Sequence, residues 1–318
     1  MQANKRALIL AAGFGTRMGE IGKTLPKVMW PVFEMSLLEV QVHFARYLGY
    51  DDIYVNLHHQ SSEILERVRS RSAFAGVTWL VESPDILDIG GGIHNLARLP
   101  AVQYTGELLV LNADQFLWFT PEHIARWRSL QNEWDAILLT WQVNSSAGYN
   151  RLDLDPAGRF RGITKNKDLP RDIEITTYTG NALINLSTLA PRDGVSSFFD
   201  SVCPPNRKVL TASVSSSDYW DFGTADRYWQ SMQKVLRCVC LGEHDDFVEF
   251  LKRMKGIDVV KVSADLSSYN CRVPGLIHLG VGAVDEAHPP GVVISGRPVA
   301  VGAKAILEFE GIVQPLTV

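Results

Sequence analysis

The first half of the chain switches repeatedly between two hydrophobic rhythms. Residues 7–12 form an unbroken apolar run, the pattern of a strand covered on both faces, and it stops at Gly13-Phe14-Gly15-Thr16-Arg17. Leu37, Val40, Phe44 and Leu48 then recur at helical spacing behind Ser36, a residue suited to cap a helix start. The alternation continues with a strand over 52–57, a charged amphipathic helix over 61–71 and a strand over 77–81. Gly90-Gly91-Gly92 reads as the turn into a short helix over 93–99, followed by a strand over 107–111. Pro121 opens another helix to about residue 130, and 136–143 reads, by its apolar content, as a central strand.

Between 148 and 178 the pattern loosens. The stretch from Arg151 to Phe160 predicts a hairpin that turns at Asp155-Pro156-Ala157-Gly158. Thr177-Tyr178-Thr179-Gly180 leads into a strand over 181–184, and Asp221-Phe222-Gly223-Thr224 precedes a helix from about Ala225. From about residue 237 the character changes to one helix over 244–255 and then short apolar pieces at 259–262, 275–284, 291–294, 299–302 and 305–309, divided by Gly and Pro. Strands alternating with helices predict an α/β fold, a Rossmann-like mixed but mostly parallel sheet flanked by helices, with a small C-terminal β-rich unit. The expected division is 1–236 and 237–318.

Composition narrows the partners. With 318 residues, 46% hydrophobic and 21% charged, the chain is an ordinary globular one. Its net charge of −4 argues against nucleic acid as a partner, which calls for a basic face. No run of about 20 apolar residues suggests a membrane span, and the first apolar run leads straight into a glycine turn rather than a cleavage site, so the expected location is the cytoplasm. Cys203, Cys238, Cys240 and Cys271 are too few and too scattered for a disulfide framework and read as reduced thiols.

A buried strand ending in a glycine-rich loop suits a polyphosphate. Glycine lets the backbone approach closely, and successive N–H groups form an anion nest. Arg17, and Lys27 after Pro26, supply charge that the amides alone do not. A dinucleotide fingerprint is the rival reading, but Gly13, Gly15 and Gly19 are wrongly spaced for it and it leaves Arg17 and Lys27 unexplained. His58-His59 receive no role, because adjacent side chains on an extended chain point apart. Trp220, beside Asp221, is the one tryptophan that sequence places near the candidate chemistry.

Five ordered segments carry a family resemblance: Gly13-Phe14-Gly15-Thr16-Arg17 with Pro26-Lys27, Gly90-Gly91-Gly92-Ile93, Asn112-Ala113-Asp114, Tyr178-Thr179-Gly180, and Asp221-Phe222-Gly223-Thr224. Together they resemble the sugar-1-phosphate nucleotidylyltransferases over roughly residues 5–236, and most of all the N-acetylmuramate-1-phosphate uridylyltransferases. The resemblance implies that Arg17 and Lys27 are catalytic and that Ala11, Ala12, Gly13, Gly15, Thr16, Gly90, Gly91 and Asn112 line the nucleotide. It implies that Tyr178, Gly180 and Lys165 face the sugar phosphate and that Asp114 and Asp221 hold Mg²⁺.

The implied reaction is an in-line attack by a phosphate oxygen on the α-phosphorus of a nucleoside triphosphate, UTP favoured, with loss of pyrophosphate. The acceptor would be N-acetylmuramate 1-phosphate or a related hexose phosphate. Its phosphate is already an anion, so the site needs positioning and charge stabilisation rather than a general base. Three neighbouring readings stay open: guanylyl or thymidylyl transfer to another sugar phosphate, cytidylyl transfer to phosphocholine, and nucleotide binding without turnover. Edge pairing between the short strands near 291–309 would make the C-terminal unit a homo-oligomer contact.

Overall fold

The computed structural model describes residues 4–15, 26–32, 35–129, 134–224, 227–228, 230–232, 234–235, 238, 244–254, 277–279, 292–294, 305–309 and 312–316. They fall into two compact units, Met1–Phe14 with Phe44–Tyr219, and Gly15–His43 with Trp220–Val318.

The first unit is built on a seven-stranded sheet. Its strands are β1 (Lys5–Leu10), β2 (Asp52–Leu57), β3 (Thr78–Val81), β4 (Glu107–Asn112), β5 (Ala136–Asn144), β8 (Glu174–Asn185) and β9 (Val209–Ser213). The hairpin β6 (Arg151–Leu154) and β7 (Phe160–Thr164) forms a separate ladder. In the sheet the order is β9-β5-β8-β4-β1-β2-β3. All neighbours are parallel except β8, which runs antiparallel to both β4 and β5. β1 lies between β2 and β4, with Ile9 opposite Val55 and Leu111, and is buried from Arg6 to Ile9. A strand covered on both faces has to be apolar throughout, which is why the opening run shows no alternation.

Helices α1 (Leu37–Tyr47), α2 (Ser61–Val68), α3 (Asp88–Ala97), α4 (Pro121–Ser129) and α5 (Phe198–Val202) follow in chain order. Ser36 does cap the start of α1, its Oγ accepting from Glu39 N at 3.1 Å. Leu8, Tyr54, Leu108 and Val110 from the sheet pack with Ile93 and Leu96 of α3 and Phe198 of α5 in one core cluster. Where the sheet strands begin, Arg128 Nε donates to Glu107 at 2.7 Å, its Nη2 donates to Tyr50 Oη at 3.0 Å, and Tyr50 donates to the same carboxylate. This triad ties the start of β4 to α4 and to the turn before β2.

Four expectations change. β8 begins at Glu174, so residues 177–180 lie inside the strand rather than leading into it. α3 begins at Asp88 and contains the three glycines, instead of starting after them. α2 ends at Val68, short of residue 71. β5 is not central: it lies one strand from the sheet edge, between β8 and β9, and its apolar content goes with the burial of residues 136–140. The hairpin forms as expected, with Asp155 Oδ1 accepting from Ala157 N and Arg159 N at 2.9 Å each and Gly158 at φ +74°.

In the second unit Pro31–Val32 pairs with Met35–Ser36. Helical residues follow Thr224 at 227–228, 230–232, 234–235 and 238, and α6 spans Asp245–Arg253. Trp220 is buried against Phe247 of α6, ring centroids 4.5 Å apart, with Lys234 Nζ 4.3 Å above its ring. Four C-terminal strands form a sheet in which Ile277–Leu279 pairs in parallel with Val292–Ile294 and Ala305–Phe309, and Ile312–Leu316 closes one edge antiparallel. That last strand carries Pro315, tolerable because only one side of it is paired. The expected pieces at 259–262 and 299–302 lie outside the described residues. Among the described residues no helix is long and apolar enough to cross a membrane.

Candidate active site

β1, β2, β3, β4 and β5 all run in one direction, so the residues that follow them gather at the carboxyl edge of the sheet. In open α/β sheets this is where ligands bind. A buried polar chain organises that edge. Ala11 N donates to Asn56 Oδ1 at 2.9 Å, Asn56 Nδ2 donates to Glu82 Oε1 at 2.8 Å, and Leu87 N donates to Glu82 Oε2 at 2.8 Å. Glu82 and Asn56 are each 3% exposed. The glycine loop, the end of β2 and the entry to α3 are thereby pinned to one another. Sequence reasoning missed Asn56 and Glu82, because each lies one residue from a strand end where polar residues are common.

No described atom lies within 4 Å of where a Cβ on Gly13 would stand. Next to it Phe14 is 48% exposed, with its ring 5.4 Å from that of His58 and 5.8 Å from that of His59. The two histidines therefore do not point apart: β2 has ended at Leu57, the chain turns, and both rings reach Phe14. Thr16 and Arg17 lie outside the described residues.

Gly90 and Gly91 serve the packing of α3. A Cβ on Gly90 would overlap the carbonyl of Ser197 and the hydroxyl of Ser201; one on Gly91 would stand 2.6 Å from Gly194 O. Gly91 N donates to Ser196 O at 3.1 Å, and Ser196 N to Leu87 O at 3.1 Å. The space that glycine creates here is filled by the loop before α5. Gly92 instead faces the polar chain, its Cβ position 3.1 Å from Glu82 Oε1.

The structure brings Asn112 and Gly180 together. Gly180 has φ +82° where the register of β8 against β5 shifts, and a Cβ there would overlap the Asn112 amide, which donates to Gln115 Oε1 at 2.8 Å. Asp114 follows in the turn after β4, half-buried. Tyr178 is different. Its ring stacks on Phe198 at 5.0 Å, and its hydroxyl is buried without a hydrogen-bond partner among the described residues; burial pushes the phenol well above its ordinary pKa. Lys165 is exposed, whereas Lys167 and Arg171 line a polar cavity of about 480 Å³ with Ser145, Ser146, Asn166 and Asp172.

The second unit holds Lys27 and Asp221 in one hydrogen-bonded turn. Lys27 Nζ donates to Gly223 O at 3.0 Å, and Gly223 N donates to Asp221 Oδ1 at 2.7 Å. Arg227 Nη1 donates to Asp221 Oδ2 at 2.8 Å, and Ser231 Oγ to Asp221 O at 2.7 Å. Gly15, at φ +63°, lies beside Lys27, its Cβ position 3.7 Å from that of the lysine. Trp220 faces the α6 side rather than this turn. Chemically, this turn of the second unit offers a lysine that a stronger anion can take from a neutral carbonyl, and hard carboxylate oxygens of the kind Mg²⁺ prefers.

Residues 7–197 match the model of the MobA-like NTP transferase domain. The chain is 32% identical over 171 residues to the bifunctional protein GlmU of Gloeobacter violaceus, covering 53% of this chain and 35% of that protein. It is 34% identical over 162 residues to GlmU of Pseudomonas entomophila, covering 51% and 33%. A shorter match, 39% over 69 residues, reaches the UTP--glucose-1-phosphate uridylyltransferase of Synechocystis, covering 22% and 18%. The chain thus spans about a third of the length of the two GlmU relatives. Among solved structures, HddC of Yersinia pseudotuberculosis is similar with TM-score 0.58 at 18% identity, covering 72% of this chain and 99% of that one. The same protein complexed with GMP-PN gives 0.57 at 19%. This likeness is one of fold.

Proposed function

Because the chain belongs to the MobA-like NTP transferase family, we propose that it transfers a nucleotidyl group from a nucleoside triphosphate to a sugar 1-phosphate, releasing pyrophosphate. The observation that carries the reading is the Lys27–Gly223–Asp221 turn. Two segments 196 residues apart in sequence supply a cation and a carboxylate to one hydrogen-bonded unit. Polyanion chemistry needs such a pair, and a structural turn does not.

In this reading the loop amides and Arg17 grip the β- and γ-phosphates. Lys27 leaves the Gly223 carbonyl for an α-phosphate oxygen, since a charged acceptor outcompetes a neutral one. Asn112 and Gly180 shape the floor between nucleotide and acceptor. Lys167 and Arg171, rather than Lys165 alone, offer cations to an acidic acceptor from the cavity beyond β5. Asp114 and Asp221 are the residues to hold Mg²⁺, their donor set being hard oxygen throughout. When bound, Mg²⁺ would offset charge on the triphosphate and on the leaving pyrophosphate.

We favour UTP as donor and N-acetylmuramate 1-phosphate or a related hexose phosphate as acceptor, supported by the five ordered motifs and by the uridylyltransferase among the relatives. A guanine donor is the second reading, favoured by the GMP-PN complex of the structural neighbour. Pyrophosphate release over a matrix of triphosphates and sugar 1-phosphates tests both. Turnover with UTP supports the first, turnover with GTP alone replaces it with the second, and tight nucleotide binding without turnover by any pair overturns the enzyme reading.

A further inference from the structure

Arg227 was not among the residues that the motifs picked out, yet it makes an ion pair with the Asp221 side chain. Its Nη1 lies 2.8 Å from Asp221 Oδ2, and its own N–H is fixed by Thr224 Oγ1 at 3.2 Å. The Asp221 side chain is 9% exposed and that of Arg227 32%, so the pair lies at the edge of solvent with the acid inside. The other carboxylate oxygen accepts from Gly223 N, and the Asp221 main chain from Ser231. Asp221 is thus clamped in orientation from both sides, and one of the clamps carries a full positive charge.

We propose that Arg227 is a positioning residue that keeps Asp221 from capturing a divalent cation alone, so that metal enters with the triphosphate. This rests on reading Asp221 as a metal ligand. A dication on Asp221 would sit within several ångströms of the guanidinium, and their repulsion, even at a water-like dielectric, lowers metal affinity by on the order of ten-fold. A bound triphosphate reverses the local sign of charge, and the same arginine then ceases to oppose the metal. The arrangement couples metal occupancy to nucleotide occupancy without any movement of the backbone.

The test is Mn²⁺ binding to the full chain, read as free Mn²⁺ by electron paramagnetic resonance at low ionic strength, without nucleotide. Arg227→Gln keeps a hydrogen-bond donor and removes the charge; it should bind Mn²⁺ about ten-fold more tightly than wild type. Arg227→Lys keeps the charge and should stay at the wild-type value. Adding a non-hydrolysable triphosphate should bring wild type and Arg227→Gln together. Arg227→Gln binding no more tightly than wild type, or Arg227→Lys tightening equally, overturns the proposal while Asp221 remains a ligand if Asp221→Asn loses Mn²⁺. Should Asp221→Asn leave Mn²⁺ binding unchanged in both backgrounds, the metal reading and this inference fall together.

Discussion

Asp221 is held by Gly223 N and Arg227 Nη1 on its two carboxylate oxygens and by Ser231 Oγ on its main chain. Asp221, Gly223 and Lys27 stand inside short motifs whose residue types suit polyphosphate chemistry, and the structure joins them through the main-chain N–H and C=O of Gly223. Arg227 lies outside every motif, and its guanidinium donates to that carboxylate at 2.8 Å. Tyr178 is the opposite case: it stands in a motif, and its ring packs on the Phe198-Phe199 pair with its hydroxyl buried. The pair of aromatics was visible in the sequence, though nothing there placed it opposite Tyr178. Two outcomes are expected at this scale. Asp221→Asn and Asp114→Asn should each lower pyrophosphate release by about a hundred-fold or more while circular dichroism stays native. Gly180→Ala, at φ +82° and against the Asn112 amide, should lower the free energy of unfolding by about 1–3 kcal/mol in urea titration.

The strands were legible because burial on both faces leaves an apolar run with sharp ends; 52–57 was read to the residue. The start of α3 was not. A glycine triplet lowers intrinsic helix propensity, so sequence alone places the helix after it. Packing overrides propensity here: only glycine lets α3 meet the backbone of residues 194–197. The same helix carries His94, 1% exposed, with Nδ1 3.1 Å from Tyr104 Oη. Burial, and after it the charge of Arg98, holds this imidazole below its ordinary pKa. As pH falls below about 6.5 the unfolded chain takes up a proton that the folded one resists, so His94 destabilises the fold on the acid side. Wild type should therefore lose more stability than His94→Gln between pH 7.5 and 5.5, measured by denaturant midpoint; equal losses would refute the role. Glu82→Ala, which leaves the buried Asn56 amide and Leu87 N–H unpaired, should cost about 2–4 kcal/mol.

At the scale of the molecule, the α/β class and the direction of the sheet followed from the alternation of helix and strand patterns. The antiparallel insertion of β8 did not, because an isolated strand carries no mark of its direction. The C-terminal residues remain a proposal: edge pairing there would make the protein a homo-oligomer. Sedimentation of the full chain against a form ending at Met254, which keeps the Trp220–Phe247 contact, should show the mass fall to that of a monomer. An unchanged assembly state would place the interface elsewhere. The most direct measurement is pyrophosphate release by the full chain from UTP and a sugar 1-phosphate, with Mg²⁺ and then with the metal chelated. Release that needs both substrates and stops on chelation is the expected result; no release with any triphosphate and sugar 1-phosphate, from a chain that still binds nucleotide, would contradict it.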